Sequence, residues 1–97
     1  MDQSSTERFA RPMKRPADPT GIIRDVALNV RALRTAAGLS QEELAHNAGV
    51  DRTYVSQVER RLRNVTITVL AQLASALQTT PDKLFARSEP PSRRQRG

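Results

Sequence analysis

The 97-residue chain contains no cysteine and no tryptophan, and only three of its residues are aromatic. Without cysteine there is no disulfide, no zinc–thiolate site and no thiol nucleophile. The scarcity of aromatic residues disfavours strands, where aromatic and β-branched side chains concentrate. Alanine, leucine and arginine, which are good helix formers, are frequent instead. The composition therefore indicates an all-α protein.

Long apolar segments are also missing. No apolar run approaches the ~20 residues that a membrane-spanning helix needs. The charged N-terminus has no apolar stretch behind it, so it does not resemble a secretory signal peptide. Since cysteine-free chains also suit a reducing compartment, we expect a cytoplasmic protein with no membrane partner.

The residues of a catalytic or metal site are scarce as well. His46 is the single histidine, and no acidic or serine partner is placed beside it by the helical pattern. The chain has no glycine-rich phosphate loop and no ligand-spaced group of His, Asp and Glu. We therefore expect no enzyme, no catalytic residue, no bound metal, no cofactor and no small-molecule ligand.

Positive charge is in excess, with a formal net charge of +6 that comes largely from arginine. Such an excess suggests a polyanionic partner, although solvated basic tails are common. Half of it lies in residues 87–97, which contain Pro90 and Pro91 and then a run of arginines, and this segment is typical of a disordered basic tail. Residues 1–20 hold three prolines among polar residues and predict a disordered arm. The ordered domain is expected over residues 21–86.

Within that domain the apolar spacing is helical. Val26, Val30, Leu33 and Ala37 share one face of a first helix, which Gly38 is expected to end. Ser40 followed by Glu43 predicts a capping box at the start of a second helix, which ends near residues 48–49.

Three further helices follow from the same reasoning. Asp51 is the expected N-cap of a third helix over about residues 52–60, with Val55 and Val58 facing inward. Residues 61–65 have no periodicity and predict a loop. Thr66 is expected to cap a fourth helix that runs through Gln78, and residues 80–81 (Thr-Pro) open a short fifth helix.

The second and third helices together predict a helix-turn-helix. Ala45 is small where two crossed helices must approach, and Gly49 can adopt the positive φ of the tight turn between them. On these residues the chain resembles the phage repressor and Cro class of regulators, also called the XRE family, from about Val26 to Phe85. The matching segments read SQEELA at 40–45, AGV at 48–50 and TYVSQVER at 53–60.

Within the family, residues 51–56 and 63–67 look like the controller proteins of restriction–modification systems. The resemblance implies a compact five-helix, lambda-repressor-like domain. One departure is Arg61, because the family often has glycine after the third helix.

The resemblance also implies roles for individual residues. The third helix would lie in the major groove of DNA, where arginine, glutamine and threonine can read base edges. The expected base contacts are Arg52, Thr53, Ser56 and Gln57. The expected phosphate contacts are Gln41, Tyr54, Arg60, Arg63 and Asn64, of which Arg63 could instead reach into a groove. A structural ion pair is implied between Arg34 and Glu59, and a dimer interface is expected at Leu77, Leu84 and Phe85, where apolar area is left uncovered.

These roles predict a sequence-specific transcriptional regulator, most simply a repressor on the nucleoid, that binds double-stranded DNA as a homodimer on a pseudo-palindromic operator. Two alternatives share the fold. One is an antitoxin-type autorepressor that also binds a toxin protein, with tails that fold on the partner. The other is a protein-interaction adapter that kept the five helices and lost DNA readout.

Overall fold

The computed structural model describes residues 15–88, and within this range it contains five helices and no strand. In chain order the helices are α1 (Ile22–Ala36), α2 (Gln41–Ala48), α3 (Arg52–Glu59), α4 (Ile67–Ala76) and α5 (Pro81–Phe85). The predicted all-α, five-helix fold is confirmed. The remaining residues of the expected arm and tail, 1–14 and 89–97, lie outside the described residues.

The folded unit begins earlier than the expected boundary at residue 21. The carboxylate of Asp18 accepts hydrogen bonds from the backbone amides of Ile23 and Arg24, at 2.9 and 3.0 Å. An acidic side chain is favourable here because it meets unpaired amides at the positive end of the helix dipole. The Asp-Pro pair at 18–19 is a turn signal, so the sequence carried a sign of this cap.

The C-terminal end of the unit is tied to the same helix. The side-chain amide of Asn29 donates to the carbonyls of Leu84 (2.9 Å) and Ala86 (2.7 Å). The backbone amide of Ser88 donates to the carboxylate of Asp25 at 3.2 Å. These bonds fasten α5 and the residues after it along α1, two residues beyond the expected boundary at 86.

Most of the predicted helix starts are confirmed. Ser40 and Glu43 form both hydrogen bonds of the capping box (2.9 and 2.8 Å). The hydroxyl of Thr66 accepts from the amide of Val69 at 3.2 Å. Asp51 stands at the N-cap position of α3, but its side chain makes no capping hydrogen bond, so that part of its predicted role is wrong.

Helix ends were predicted less well. α1 and α2 end beside glycines in the left-handed region, Gly38 and Gly49, both with φ of +73°. α4 ends at Ala76 and not at the expected Gln78, because Gln78 itself turns the chain with φ of +59°. Ala37 lies beyond the last turn of α1 and is exposed, so it does not continue the buried stripe.

The core is assembled from one face of each helix. α2 packs against α3 and α4, while α5 closes over α1 and α4. Burial of a leucine or valine side chain contributes about 1.5–3 kcal/mol, so the six largest fully buried side chains supply much of the favourable free energy. These are Leu44, Leu73, Leu84, Val30, Val55 and Val58.

The expected uncovered apolar area on α4 and α5 is smaller than predicted. Leu84 is fully buried and Leu77 is only 9% exposed, whereas Phe85 is 43% exposed. Leu84 is buried because α5 has only this side chain with which to close the core over α1 and α4. The expectation that Leu77 and Leu84 leave apolar surface uncovered is therefore wrong.

Candidate nucleic-acid interface

The turn between α2 and α3 is held from two sides. After Gly49 the chain reverses with a hydrogen bond from the amide of Val50 to the carbonyl of Ala45 at 3.0 Å. From α4, the side-chain amide of Gln72 donates to the carbonyl of Ala48 at 3.2 Å and so satisfies a carbonyl at the end of α2. The sequence offers no local signal for this role of Gln72, since its partner lies on a different helix.

α3 separates apolar and polar side chains onto opposite faces. Val55 and Val58 are almost completely buried, at 0 and 1% exposure. Arg52, the first residue of the helix, and Thr53 are exposed, while Ser56 and Gln57 are half-buried. All four predicted base-contact residues are therefore still accessible from outside, and the two at the N-terminal end are the most accessible.

The loop after α3 is bound to the helix through Arg63. The Nε of Arg63 donates to the side-chain oxygen of Gln57 at 2.9 Å, and its guanidinium carbon lies 4.3 Å from the ring centroid of Tyr54. The Tyr54 ring in turn packs against the edge of the core. A cation–π contact at an exposed site contributes about 0.5–1 kcal/mol. Two predicted phosphate contacts are thereby joined to one predicted base contact.

Two more of the predicted phosphate contacts, Arg60 and Asn64, are exposed. Arg60 is the C-cap of α3, directly after its last residue, and Asn64 follows Arg63 in the loop. Arg61, between these segments, has φ of +63°. It thus adopts, as an arginine, the left-handed conformation that glycine adopts most readily.

Arg34 and Glu59 form a buried ion pair between α1 and α3. Nε of Arg34 lies 2.7 Å from one carboxylate oxygen of Glu59, and its terminal nitrogen donates to the other oxygen at 3.0 Å. The two side chains are 13 and 3% exposed. The hydrogen bond with Glu59 raises the pKa of Arg34 above its ordinary value, against the opposing effect of burial, so the guanidinium stays charged. Loss of one partner from such a pair costs about 3–5 kcal/mol.

Gln41, at the start of α2, joins this pair. Its side-chain amide nitrogen donates to a carboxylate oxygen of Glu59 at 3.0 Å. The residue is half-buried. The network thus connects the first turn of α2 to the last turn of α3, a link between distant residues that helical periodicity does not indicate.

An apolar groove of about 160 Å³ opens beside the loop of Arg63 and Asn64. Its rim includes side chains that are unusually exposed for their type: Ile67 at 83%, Ile22 at 44% and Phe85 at 43%. Of these three side chains, only Phe85 was predicted from the sequence to lie on an uncovered apolar surface. The groove is lined by Ile22, Ile23, Val26, Arg63, Asn64, Val65, Ile67, Leu70 and Phe85.

His46 is exposed on α2. Between residues 15 and 88, no group of His, Cys, Asp or Glu has the arrangement of a metal site. In the same range, no helix combines the length and apolar character needed to cross a bilayer.

Comparison with known proteins places this arrangement in a family. The Helix-turn-helix family model HTH_3 matches residues 30–84. Control protein C.SmaI from Serratia marcescens is 50% identical over 62 residues, which is 64% of this chain and 74% of that protein.

Solved structures give the same result. The restriction-modification controller protein C.AhdI from Aeromonas hydrophila matches with a TM-score of 0.63 and 48% identity over 65% of this chain and 96% of that one. C.Esp1396I, solved as a tetramer in complex with its natural 35 base-pair operator, matches with a TM-score of 0.62 and 33% identity over 66% of this chain and 84% of that one. Because the family model covers more than half of the residues and the fold agrees, the chain belongs to the Helix-turn-helix (HTH_3) family.

Proposed function

We propose that this protein is a transcriptional regulator that binds a specific double-stranded DNA sequence with α3 in the major groove. The observation that carries the proposal is the polarity of α3. Val55 and Val58 fasten the helix to the core, and Arg52 and Thr53 are left exposed at its N-terminal end. In helix-turn-helix proteins this end of the second helix of the motif contacts the base edges.

The chemistry of the exposed side chains suits base recognition. The guanidinium of Arg52 can pair with the O6 and N7 atoms of guanine, and the methyl group of Thr53 can contact a thymine methyl. Gln57 and Ser56 supply further polar groups one turn along the same helix. Gln57 accepts from Arg63, so readout by this glutamine would be coupled to the position of the loop.

Phosphate contacts are assigned to Gln41, Tyr54, Arg60, Arg63 and Asn64. Arg60 and Arg63 carry the positive charge that neutralises phosphates, and both are exposed. Gln41 opens α2, where helix dipole and unpaired amides favour an anion. These contacts would fix the register of α3 without conveying sequence information.

A homodimer is proposed because one helix-turn-helix reaches only a few base pairs. Two-fold dimers of this class place their recognition helices about 34–36 Å apart on the duplex. The rim of the apolar groove (Ile22, Ile67 and Phe85) is the proposed contact with the second copy, and Leu77 and Leu84 would support it from within the core. Sedimentation of the protein at micromolar concentration, alone and on DNA, tests this contact, and a monomer under both conditions would contradict it.

Similarity to C.SmaI and C.AhdI supports a narrower role as the controller of a restriction–modification system in the cytoplasm. Inspection of the neighbouring genes tests it. An adjacent restriction enzyme or methyltransferase supports this role, whereas an adjacent toxin gene would favour an antitoxin instead. The proposal includes no catalytic step.

Selection of bound sequences from a random duplex library is the experiment that tests DNA recognition. We expect a short, two-fold symmetric consensus. Titrated with that duplex, the protein should lose orders of magnitude in affinity between about 50 and 200 mM salt, because bound phosphates release counterions. An adapter without DNA readout would enrich no consensus and bind weakly at both salt concentrations.

Substitution of Arg52 separates base readout from backbone binding. Arg52→Ala should weaken binding to the selected site by about 1–3 kcal/mol and relax preference at one base pair. Arg31→Ala, which removes another exposed arginine, from α1, is the matched control and should leave the preference unchanged. An equal loss on all sequences would identify Arg52 as a phosphate contact.

A further inference from the structure

The side-chain amide of Gln41 is oriented by a charged neighbour. Its nitrogen lies 3.0 Å from an oxygen of Glu59, and that carboxylate is itself fixed by two hydrogen bonds from Arg34. An ionised carboxylate only accepts hydrogen bonds. The reverse orientation of the amide would bring two acceptor oxygens together, so the nitrogen of Gln41 is held toward Glu59.

A primary amide nitrogen carries two hydrogens, and Glu59 takes one of them. The second hydrogen remains available for an acceptor outside the ion pair. Since the Gln41 side chain is half-buried and anchored at its tip, the orientation of this hydrogen is set when the protein folds. A free surface glutamine would instead lose its rotamer freedom only on binding.

The neighbouring backbone of α2 is also organised. Ser40 accepts from the amide of Glu43 with its hydroxyl and from the amide of Leu44 with its carbonyl. Gln41 is the first residue of this helix, so its side-chain amide lies near the helix N-terminus, where the helix dipole favours an anion. Helix N-termini are among the groups with which DNA-binding proteins contact backbone phosphates.

We infer that Glu59 is a positioning residue for DNA binding, because it aims the side-chain amide of Gln41 at a backbone phosphate. This inference rests on the proposed function. It gives the ion pair a second role: besides joining α1 to α3, the pair fixes a donor at the start of α2. Glu59 acts through Gln41 and does not itself touch the DNA.

A double-variant cycle measures this coupling. Gln41→Ala should lower affinity about tenfold for the selected site and for random duplex alike, because a hydrogen bond to a charged group is lost. The slope of log K against log salt should not change, since a neutral amide releases no counterion. Glu59→Gln should lower affinity about threefold in the wild-type background and have no effect when residue 41 is alanine. Equal effects of Glu59→Gln in both backgrounds would overturn the inference.

A second measurement, on the wild-type protein, does not depend on the stability of the Glu59 variant. In the wild-type protein, the side-chain amide protons of Gln41 can be followed by NMR. One proton should be shifted downfield in the free protein, as expected for a bond to Glu59, and the other should shift when duplex is added. Two amide protons with the shifts of an ordinary solvent-exposed glutamine in the free protein, or no shift of either on addition of DNA, would overturn the inference.

Arg63→Ala tests a proposed phosphate contact that does not involve Glu59. Because this contact is charged, the variant should reduce the slope of log K against log salt by about one. A wild-type protein that binds no duplex would contradict the proposed function as a whole. A protein that binds with the expected salt dependence but with an unresponsive Gln41 amide would contradict only the role of Glu59.

Discussion

The ends of α1 and α2 differ from the ends of α3 and α4 in the residue that turns the chain. All four ends reverse with the same pair of backbone hydrogen bonds, seen for example from Gly49 to His46 (3.2 Å) and from Val50 to Ala45 (3.0 Å). The first two helices place Gly38 and Gly49 at the turning point. The last two place Arg61 and Gln78 there, with φ of +63° and +59°.

The backbone bonds are equally short in the second pair. The amide of Leu62 donates to the carbonyl of Gln57 at 2.8 Å, and that of Thr79 to the carbonyl of Ala74 at 2.9 Å. An L side chain in the left-handed region costs about 1–2 kcal/mol. A left-handed arginine or glutamine therefore ends a helix with the same backbone hydrogen bonds as a left-handed glycine, but at a cost in conformational strain.

Adding a side chain to the glycine ends should have the largest effect. Gly49→Ala and Gly38→Ala should each lower the free energy of unfolding by about 1–2 kcal/mol, because both positions have positive φ. A new Cβ at residue 49 would lie 3.8 Å from Gln72, and at residue 38 it would meet nothing within 4 Å, so neither change adds a clash.

Chemical denaturation measures both losses, and DNA titration distinguishes the two sites. Only Gly49→Ala should also weaken DNA binding, because residue 49 sets the angle between α2 and α3. If Gly38→Ala weakens binding as much, the turn has no special part in recognition.

Relief of strain at Gln78 should have the next largest effect. Gln78→Gly should raise the free energy of unfolding by about 0.5–1 kcal/mol, because glycine adopts positive φ without strain. The greater conformational freedom of glycine in the unfolded chain offsets part of this gain. The side chain is exposed, so little packing is lost. Gln78→Ala keeps the strain and is the matched control. A gain with alanine equal to that with glycine would show that the strain at residue 78 is not the cause.

Arg61→Gly should give the smallest change. The relief of backbone strain is similar, but the Arg61 side chain is half-buried in a small cleft that Asp18 and Ile23 also line, and that burial is lost. We expect a net gain of about 0.5 kcal/mol or less in thermal or chemical unfolding. Arg61→Asn, which tolerates positive φ, should fall between the wild type and the glycine variant. A clear destabilisation by glycine would mean that burial of the Arg61 side chain stabilises the fold by more than the backbone strain costs.

These turns also explain which helix boundaries the sequence could predict. Ser40, Thr66 and Gly49 act through residues within four positions of themselves, so local pattern was sufficient. The end of α4 was misplaced at Gln78, because a glutamine gives no sign that it will adopt positive φ. Leu84 was expected on an outer surface, and this prediction failed because the burial of Leu84 depends on how α5 packs against α1, which the local sequence does not show.

The candidate interface was predictable to the same extent. The polar face of α3 follows from the spacing of Val55 and Val58, and the family resemblance supplied its role. The bond from Arg63 to Gln57 and that from Gln41 to Glu59 join residues 6 and 18 positions apart across loops and helices. Such contacts depend on the tertiary arrangement and on side-chain rotamers, which periodicity does not report.

The burial of the Arg34–Glu59 pair bears on how salt acts on this protein. Dissolved ions screen exposed charges strongly and buried pairs much less. The pair at 13 and 3% exposure should therefore survive the ionic strengths that release DNA. The domain that salt releases from DNA would then still be folded, and it could rebind on dilution without refolding. Ionic strength would thus change the fraction of DNA that is bound and leave the protein structure unchanged.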